Sequence, residues 1–139
     1  MRNILTDGAV FGILALSSIK NNGASSKPMK VGHKVWLDNG GKVFGDGPYE
    51  LLRRVGKIMS LRQAANQMGM SYSKAWRLIR TLEQRLGFTL LERKVGGQSG
   101  GGSRVTARGK VLMKQYDRFR RDVEKGLEKI YRKHFGLWK

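Results

Sequence analysis

The stretch SLRQAANQMGMSYSKAWRLIRTLEQRLG, running from Ser60 to Gly87, decides the fold. Ser60 followed by Gln63 matches a capping box, in which side chains satisfy the first unpaired N–H groups of a helix. A helix is therefore predicted from Leu61 through Ala64, Ala65 and Met68, with Gly69 ending it. Ser71 caps a second helix, whose Ala75, Leu78, Ile79, Leu82 and Leu86 recur at three- and four-residue steps before Gly87, the residue expected at a helix C-terminus. The first helix is slim enough to let the second approach closely, and a turn of about three residues around a glycine joins them, which describes a helix-turn-helix. The outer face of the second helix separates this from a generic helical hairpin. Ser73, Lys74, Arg77, Arg80, Thr81 and Gln84 cluster there, Arg77 lies almost opposite the apolar stripe, and no acid interrupts the face. A merely solvated face ordinarily mixes charge signs, so this one is assigned to DNA. Arg77 and Arg80 are the candidates for base edges, since guanidinium fits guanine O6 and N7. Ser71, Tyr72, Ser73 and Lys74, at the N-terminal end, are candidates for backbone and base-edge contacts, while Trp76, at the edge of the stripe, is assigned to the core.

Downstream, Phe88 to Arg93 and Ser103 to Thr106 read as strands separated by Gly96-Gly97-Gln98-Ser99-Gly100-Gly101-Gly102, so the segment is predicted to be a wing. A nucleotide-binding loop is the rival reading of such a run, but no Lys-Ser or Lys-Thr follows it and no helix opens directly from it. Flanked by Arg93, Lys94 and Arg104, the loop suits a duplex backbone, with Gly97 and Gly101 letting main-chain N–H groups approach phosphates. Thr106 caps a long last helix in which Val111, Leu112, Tyr116, Phe119, Val123, Leu127, Ile130 and Tyr131 form a stripe about 30 Å long. Its first part covers the winged domain. Nothing else in so small a domain is left for the rest, so Tyr116, Phe119, Val123, Leu127 and Ile130 are assigned to a homodimer. Gly126 interrupts any strict heptad.

Upstream, Leu51, Leu52, Val55, Ile58 and Met59 form one helical stripe from Pro48, with Glu50, Arg53, Arg54 and Lys57 opposite. Before it, Val31, His33, Val35 and Leu37 alternate on one face of a strand from Lys30. Asn39-Gly40 supplies a tight turn, and Lys42-Val43-Phe44 returns. Trp36 is expected to cover the core from the hairpin edge. The fold class is thus mainly α with small β: a winged helix-turn-helix with an N-terminal β-hairpin and a long C-terminal helix, occupying residues 29–139. Residues 1–28 read differently, with an apolar run from Ala9 to Leu16 followed by Asn21-Asn22-Gly23-Ala24-Ser25-Ser26. They are expected to be a disordered or loosely attached extension, or to precede a true start at Met29. A signal peptide is disfavoured because Arg2 is paired with Asp7.

The 139 residues suffice for one core. Twenty-eight Lys and Arg against ten Asp and Glu give a net charge of +18, which implies a polyanionic partner. Two thirds of that charge falls between Arg53 and Lys114, where fourteen basic residues meet only Glu83 and Glu92. With no Cys, and only His33 and His134, neither a metal site nor a cofactor is expected. No segment approaches the length of a membrane span, so the protein is expected in the cytoplasm, associated with the nucleoid. No nucleophile–base pair or paired-carboxylate motif marks an enzyme. RNA or nonspecific chromosome binding is the serious competitor, because electrostatics alone would serve it.

Val43-Phe44-Gly45-Asp46-Gly47, Met70-Ser71-Tyr72-Ser73-Lys74-Ala75-Trp76, Leu90-Leu91-Glu92-Arg93 and the glycine wing give the chain a resemblance to a known family. Together they resemble the DNA-binding domain of the molybdate-responsive (ModE-type) bacterial transcription regulators over roughly Lys30 to Phe135. Ala64-Ala65, Leu82-Glu83, Leu86-Gly87 and Thr106…Gly109 carry a weaker similarity to LysR-type regulators. The resemblance implies a dimeric winged-helix regulator on double-stranded DNA, with an inverted repeat as its site. Full-length members continue into β-barrel modules that bind the oxyanion, whereas this chain ends at Lys139, so a regulator without its own molybdate-binding domain is expected. Met59 stands where relatives usually have a Gly, which bears on the turn between the first two helices.

Overall fold

Serine caps and left-handed stops delimit the central helices as the sequence predicts. The Ser60 and Ser71 hydroxyls each accept a hydrogen bond at 3.2 Å, from the Gln63 and Lys74 amides respectively, and Gly87 closes the second helix at φ 77°. The computed structural model describes residues 27–94 and 102–138. By its contacts the chain divides into residues 1–30 with 138–139, and residues 31–137; every described element lies in the second unit. In order these are β1 (Trp36–Asp38), β2 (Lys42–Gly45), α1 (Asp46–Ile58), α2 (Leu61–Gln67), α3 (Tyr72–Leu86), β3 (Leu91–Lys94), β4 (Gly102–Val105) and α4 (Ala107–Phe135). β1 pairs antiparallel with β2, and β3 with β4. The architecture is a winged helix-turn-helix, mainly α with two small hairpins.

The core gathers Leu51, Leu52 and Val55 of α1, Leu61, Ala64 and Ala65 of α2, and Ala75, Ile79 and Leu82 of α3. Phe44, Leu90, Val105 and Tyr116 close it from the hairpins, the wing root and α4. Each buried Leu or Ile contributes about 1.5–3 kcal/mol, whereas the two alanines contribute mainly by keeping α2 close to α3, where a larger side chain would overpack.

Several boundaries and placements differ from expectation for identifiable reasons. The first strand is confined to Trp36–Asp38, because its partner enters α1 at Asp46, directly after Gly45 pairs with Trp36, and residues 31–35 have nothing to pair with. Trp36 is 52% exposed and covers no core. The hairpin is instead fastened to the C-terminal end of α3: Arg85 Nη1 donates to the Lys42 carbonyl at 2.6 Å, and Asn39 Nδ2 to that of Arg85 at 3.1 Å. β3 begins at Leu91 and not at Phe88, since its partner β4 ends at Val105, opposite Leu91. β4 stops at Val105 because Thr106 turns into the cap of α4, accepting from Gly109 N at 3.0 Å while donating to the Thr89 carbonyl at 2.8 Å.

Tyr116, assigned from the sequence to self-association, is in fact part of this domain's own core. It is 1% exposed, its ring stands edge-on to Phe44 at 5.1 Å, and its hydroxyl lies 2.8 Å from Asp46 Oδ1 and 3.0 Å from the Val35 carbonyl. Arg120 adds a hydrogen bond to the same carboxylate at 3.2 Å. Asp46 also sits in the first turn of α1, where the helix dipole favours an anion. Beyond Tyr116 no described residue of α4 is buried.

Met59 does not extend the apolar stripe of α1. It is the C-cap, 38% exposed, with φ 61° and ψ 31°. It is the one described residue other than glycine with positive φ, a conformation that costs an L-residue roughly 1–2 kcal/mol. Its carbonyl accepts from Ser103 N at 3.0 Å, and a Cβ on Gly102 would come within 2.6 Å of the same oxygen. The turn between α1 and α2 and the root of the wing therefore hold one another.

Replacing Met59 with Gly should relieve the left-handed strain and raise stability by about 1 kcal/mol, seen as a higher thermal midpoint. A lower midpoint would show that the Met59 side chain contributes more than the strain costs. The Tyr116–Asp46 contact generates a pH signature. The Tyr116 hydrogen bond, assisted by Arg120 against the opposing effect of burial, holds Asp46 below its ordinary 3.8, so its contribution is complete above that value and is lost as pH falls through the depressed one. Burial, together with the bond to Asp46, pushes Tyr116 up to about 12, so its contribution is complete below 10 and is lost as pH rises toward 12. Tyr116→Phe should be less stable near neutrality and should flatten both limbs in urea titrations across pH. Unchanged limbs would assign the pH dependence elsewhere.

Candidate nucleic-acid interface

α3 is packed through Ala75, Ile79 and Leu82, which leaves Ser73, Lys74, Arg77, Arg80, Thr81 and Gln84 exposed on the opposite side. Arg77 reaches back toward the Ser73 carbonyl at 3.5 Å and has no carboxylate within ion-pair distance among the described residues. Ser71 is first a structural cap, its hydroxyl committed to Lys74 N. Arg80 departs from the simple outer-face reading. Its side chain is 59% exposed, but Nη1 lies 3.3 Å from Glu83, an acid buried at the flank of α3 that the polar-face pattern does not reveal.

Glu83 is central to the geometry. One carboxylate oxygen accepts from the Leu90 amide at 2.8 Å and from the Leu91 amide at 3.2 Å, and the other faces Arg80. α3 thereby holds the first strand of the wing by its main chain. Hydrogen bonds to an ionised acceptor are roughly twice as strong as neutral ones, which suits a buried anchor.

The same flank carries Tyr72 and Trp76, which stack at 6.5 Å between ring centroids with 19° between planes. Trp76 is half-buried and packs against the core, as the sequence assigns it. Arg93 from β3 lies 4.6 Å from the Trp76 centroid and donates to the Tyr72 hydroxyl at 3.3 Å. Arg80 lies 5.2 Å from the same ring, and Arg62 of α2 lies 4.6 Å from that of Tyr72. Sequence reasoning missed Arg62. Its signal is its position, the second residue of a helix whose buried face is Leu61, Ala64 and Ala65, which turns it away from the core.

Of the wing residues, Arg104 is exposed and pairs with Glu92 at 3.6 Å across the ladder, and Lys94 is the last residue of β3. Gly97 and Gly101 lie outside the described residues. The structure thus joins Tyr72, Arg80 and Arg93 into one cluster with Ser73, Lys74 and Arg77 alongside, and leaves Arg104 on the second strand. Phe119, Val123, Leu127 and Ile130 fall on the far part of α4, away from this surface's contacts. No helix among the described residues is long and apolar enough to cross a membrane, and no group of three or more His, Cys, Asp or Glu there is placed to hold a metal.

A reading helix with an acid-free outer face, a capped helix packed before it and a two-stranded wing tied to its side define a DNA-binding helix-turn-helix. In agreement, the profile of the bacterial regulatory helix-turn-helix protein, lysR family, matches residues 49–110. Within that class the chain is similar to the DNA-binding domains of ModE-type regulators. It is 36% identical over 77 residues to the DNA-binding transcriptional dual regulator ModE of Escherichia coli (strain K12), covering 55% of this chain and 29% of that protein. It is 30% identical over 96 residues to the molybdenum-pterin-binding protein MopB of Rhodobacter capsulatus, covering 69% and 34%. It is 34% identical over 74 residues to the transcriptional regulator ModE of Haemophilus influenzae, covering 53% and 29%. The chain therefore spans about a third of the length of the curated relatives it matches.

Proposed function

We propose that this protein is a sequence-specific transcriptional regulator that acts by binding double-stranded DNA in the bacterial cytoplasm. α3 enters the major groove, and the wing lies along the adjoining backbone. The observation that carries this reading is the exposed face of α3 with Arg77 at its centre, which has no carboxylate partner among the described residues. Arg77, and Arg80 once it turns from Glu83, supply the bidentate fork that suits guanine O6 and N7. Ser73, Lys74, Arg93, Lys94 and Arg104, with the glycines of the wing, supply backbone contacts that fix register. A homodimer through Phe119, Val123, Leu127 and Ile130 places two such helices on an inverted repeat, with half-site centres about one helical turn apart. Phe119 at 42% and Ile130 at 57% exposure leave that surface open for a second copy.

The experiment is to select bound duplexes from a random-sequence pool and to compare affinities for the selected and an unrelated duplex. Arg77→Ala should cost about 1–3 kcal/mol on the selected site and much less on random duplex. An equal loss on both would make Arg77 a phosphate contact, and a pool that yields no common sequence would favour nonspecific chromosome or RNA binding. Replacing Phe119 and Val123 together by Asp should leave the winged domain folded while binding falls toward that of a half-site, because joining the halves supplies effective concentration. A protein that sediments as a monomer and binds a single half-site at full affinity would refute the dimer.

A further inference from the structure

We infer that Trp76, stacked on Tyr72, is a positioning residue that collects guanidinium groups from the reading helix and the wing into one fixed array, and through it sets which sequence is bound. The second half of this inference rests on the DNA reading proposed above; the first concerns the free protein alone.

Three arginines from three elements meet one pair of rings: Arg62 of α2 over Tyr72, and Arg80 of α3 and Arg93 of β3 over Trp76. Lying 5.2 and 4.6 Å from the same centroid, the Arg80 and Arg93 charges are within about 10 Å of one another. That is comparable to the screening length at physiological salt, so they repel. Only Arg80 has a carboxylate, Glu83. Among the described residues Arg93 and Arg62 are in no ion pair. Arg93 is held by the Trp76 face and the Tyr72 hydroxyl, and Arg62 by the Tyr72 face.

The distinction between a ring and an acid matters for function. A carboxylate would fix a guanidinium but cancel its charge, whereas an aromatic face holds the cation through its quadrupole and leaves the charge available to a phosphate or a base. Trp offers the strongest such face of the natural side chains. Wing and helix are seventeen positions apart in sequence at Arg93 and Trp76, so this ring is where the spacing between their cations is set. A packing residue alone would need only volume, and Leu or Met would supply it.

The test uses the full chain with Trp76→Leu, Trp76→Phe and Arg93→Ala, a duplex selected by the unmodified protein, and a random duplex. Two lost cation–ring contacts should weaken binding of the selected duplex by W76L about 5- to 30-fold. Random-duplex affinity should change less than threefold, and W76F should stay within about threefold of the unmodified protein. R93A should cost distinctly less in the W76L background than alone, since the array is already loosened. Additive losses, or W76L binding like the unmodified protein, would overturn the proposal. Should W76L not fold, Trp76→Met fills the volume without a π face and takes its place in every comparison. In the DNA-free protein, the Arg93 Nε–H resonance should show a ring-current shift that W76L abolishes and W76F retains. If the pool yields no preferred sequence, the regulator reading fails and sequence setting fails with it, while the resonance still decides whether the array exists.

Discussion

A single buried carboxylate, Glu83, holds α3 and the wing together. Glu83 is 8% exposed, and removing a charge from water costs several kcal/mol unless partners replace the lost hydration. Two main-chain amides of the wing root and one guanidinium of its own helix do so. The consequence is geometric, because the segment after Gly87 has no freedom to choose where β3 begins. On the other strand, Ser103 N is bonded to the Met59 carbonyl. Each strand of the wing is therefore tied to a different helical element, β3 to α3 and β4 to the turn between α1 and α2. The root of the wing is thereby fixed both to α3 and to the turn between α1 and α2.

The placement of acids explains how a chain of net charge +18 leaves Arg77 without an acid partner among the described residues and still folds. Asp38 accepts from the Gly40 and Gly41 amides and closes the first hairpin. Glu50 is held at about 2 by its hydrogen bonds to Arg53 and then Arg54, which ties up two cations on the solvent side of α1. Asp46 and Asp117 receive Arg120, and Asp117 also pairs with Arg121. These acids hold turns and helix ends, and they discharge cations at some distance from α3. Repulsion is thereby reduced across the domain, while Arg77 keeps its charge without a carboxylate partner among the described residues.

Local chemistry made the helix-turn-helix legible. A serine cap, a three-residue spacing to its amide partner and a terminal glycine are contained within a few positions, and both caps and the Gly87 stop occur where the sequence places them. Features that depend on distant partners were not legible. The short reach of β1 follows from where β2 ends, the exposure of Trp36 from what fails to cover it, and the capture of Tyr116 from Asp46, seventy positions away. Trp76 read as core because periodicity places it at the stripe's edge, and periodicity carries no information about Arg93. Glu83 adjoins the apolar stripe, but the wing amides that it binds lie beyond Gly87, outside the helix whose pattern was readable. The positive φ of Met59 follows from the turn that it closes, which no local pattern announces, and it is the physical reason that a Gly would suit the position.

The long helix combines two unlike halves. Its first turns are locked by the Thr106 cap, by Gly109 packed against the Leu90 carbonyl and by Tyr116 in the core. Its last four turns have no buried residue, and helix propensity alone supports so short a segment poorly in water. Ion pairs such as Arg132–Glu128 at 2.5 Å and the stacked rings of Tyr131 and Phe135 add only tenths of a kcal/mol to about 1 kcal/mol each. Anything that covers Phe119, Val123, Leu127 and Ile130 therefore stabilises this half and restrains the direction of the whole helix. That direction is transmitted at Tyr116 and Arg120, which meet at Asp46, the first residue of α1. α1 ends at Met59, whose carbonyl holds β4. A contiguous chain of hydrogen bonds and packed helices thus runs from Tyr116 and Arg120 of α4, through α1, to the root of the wing.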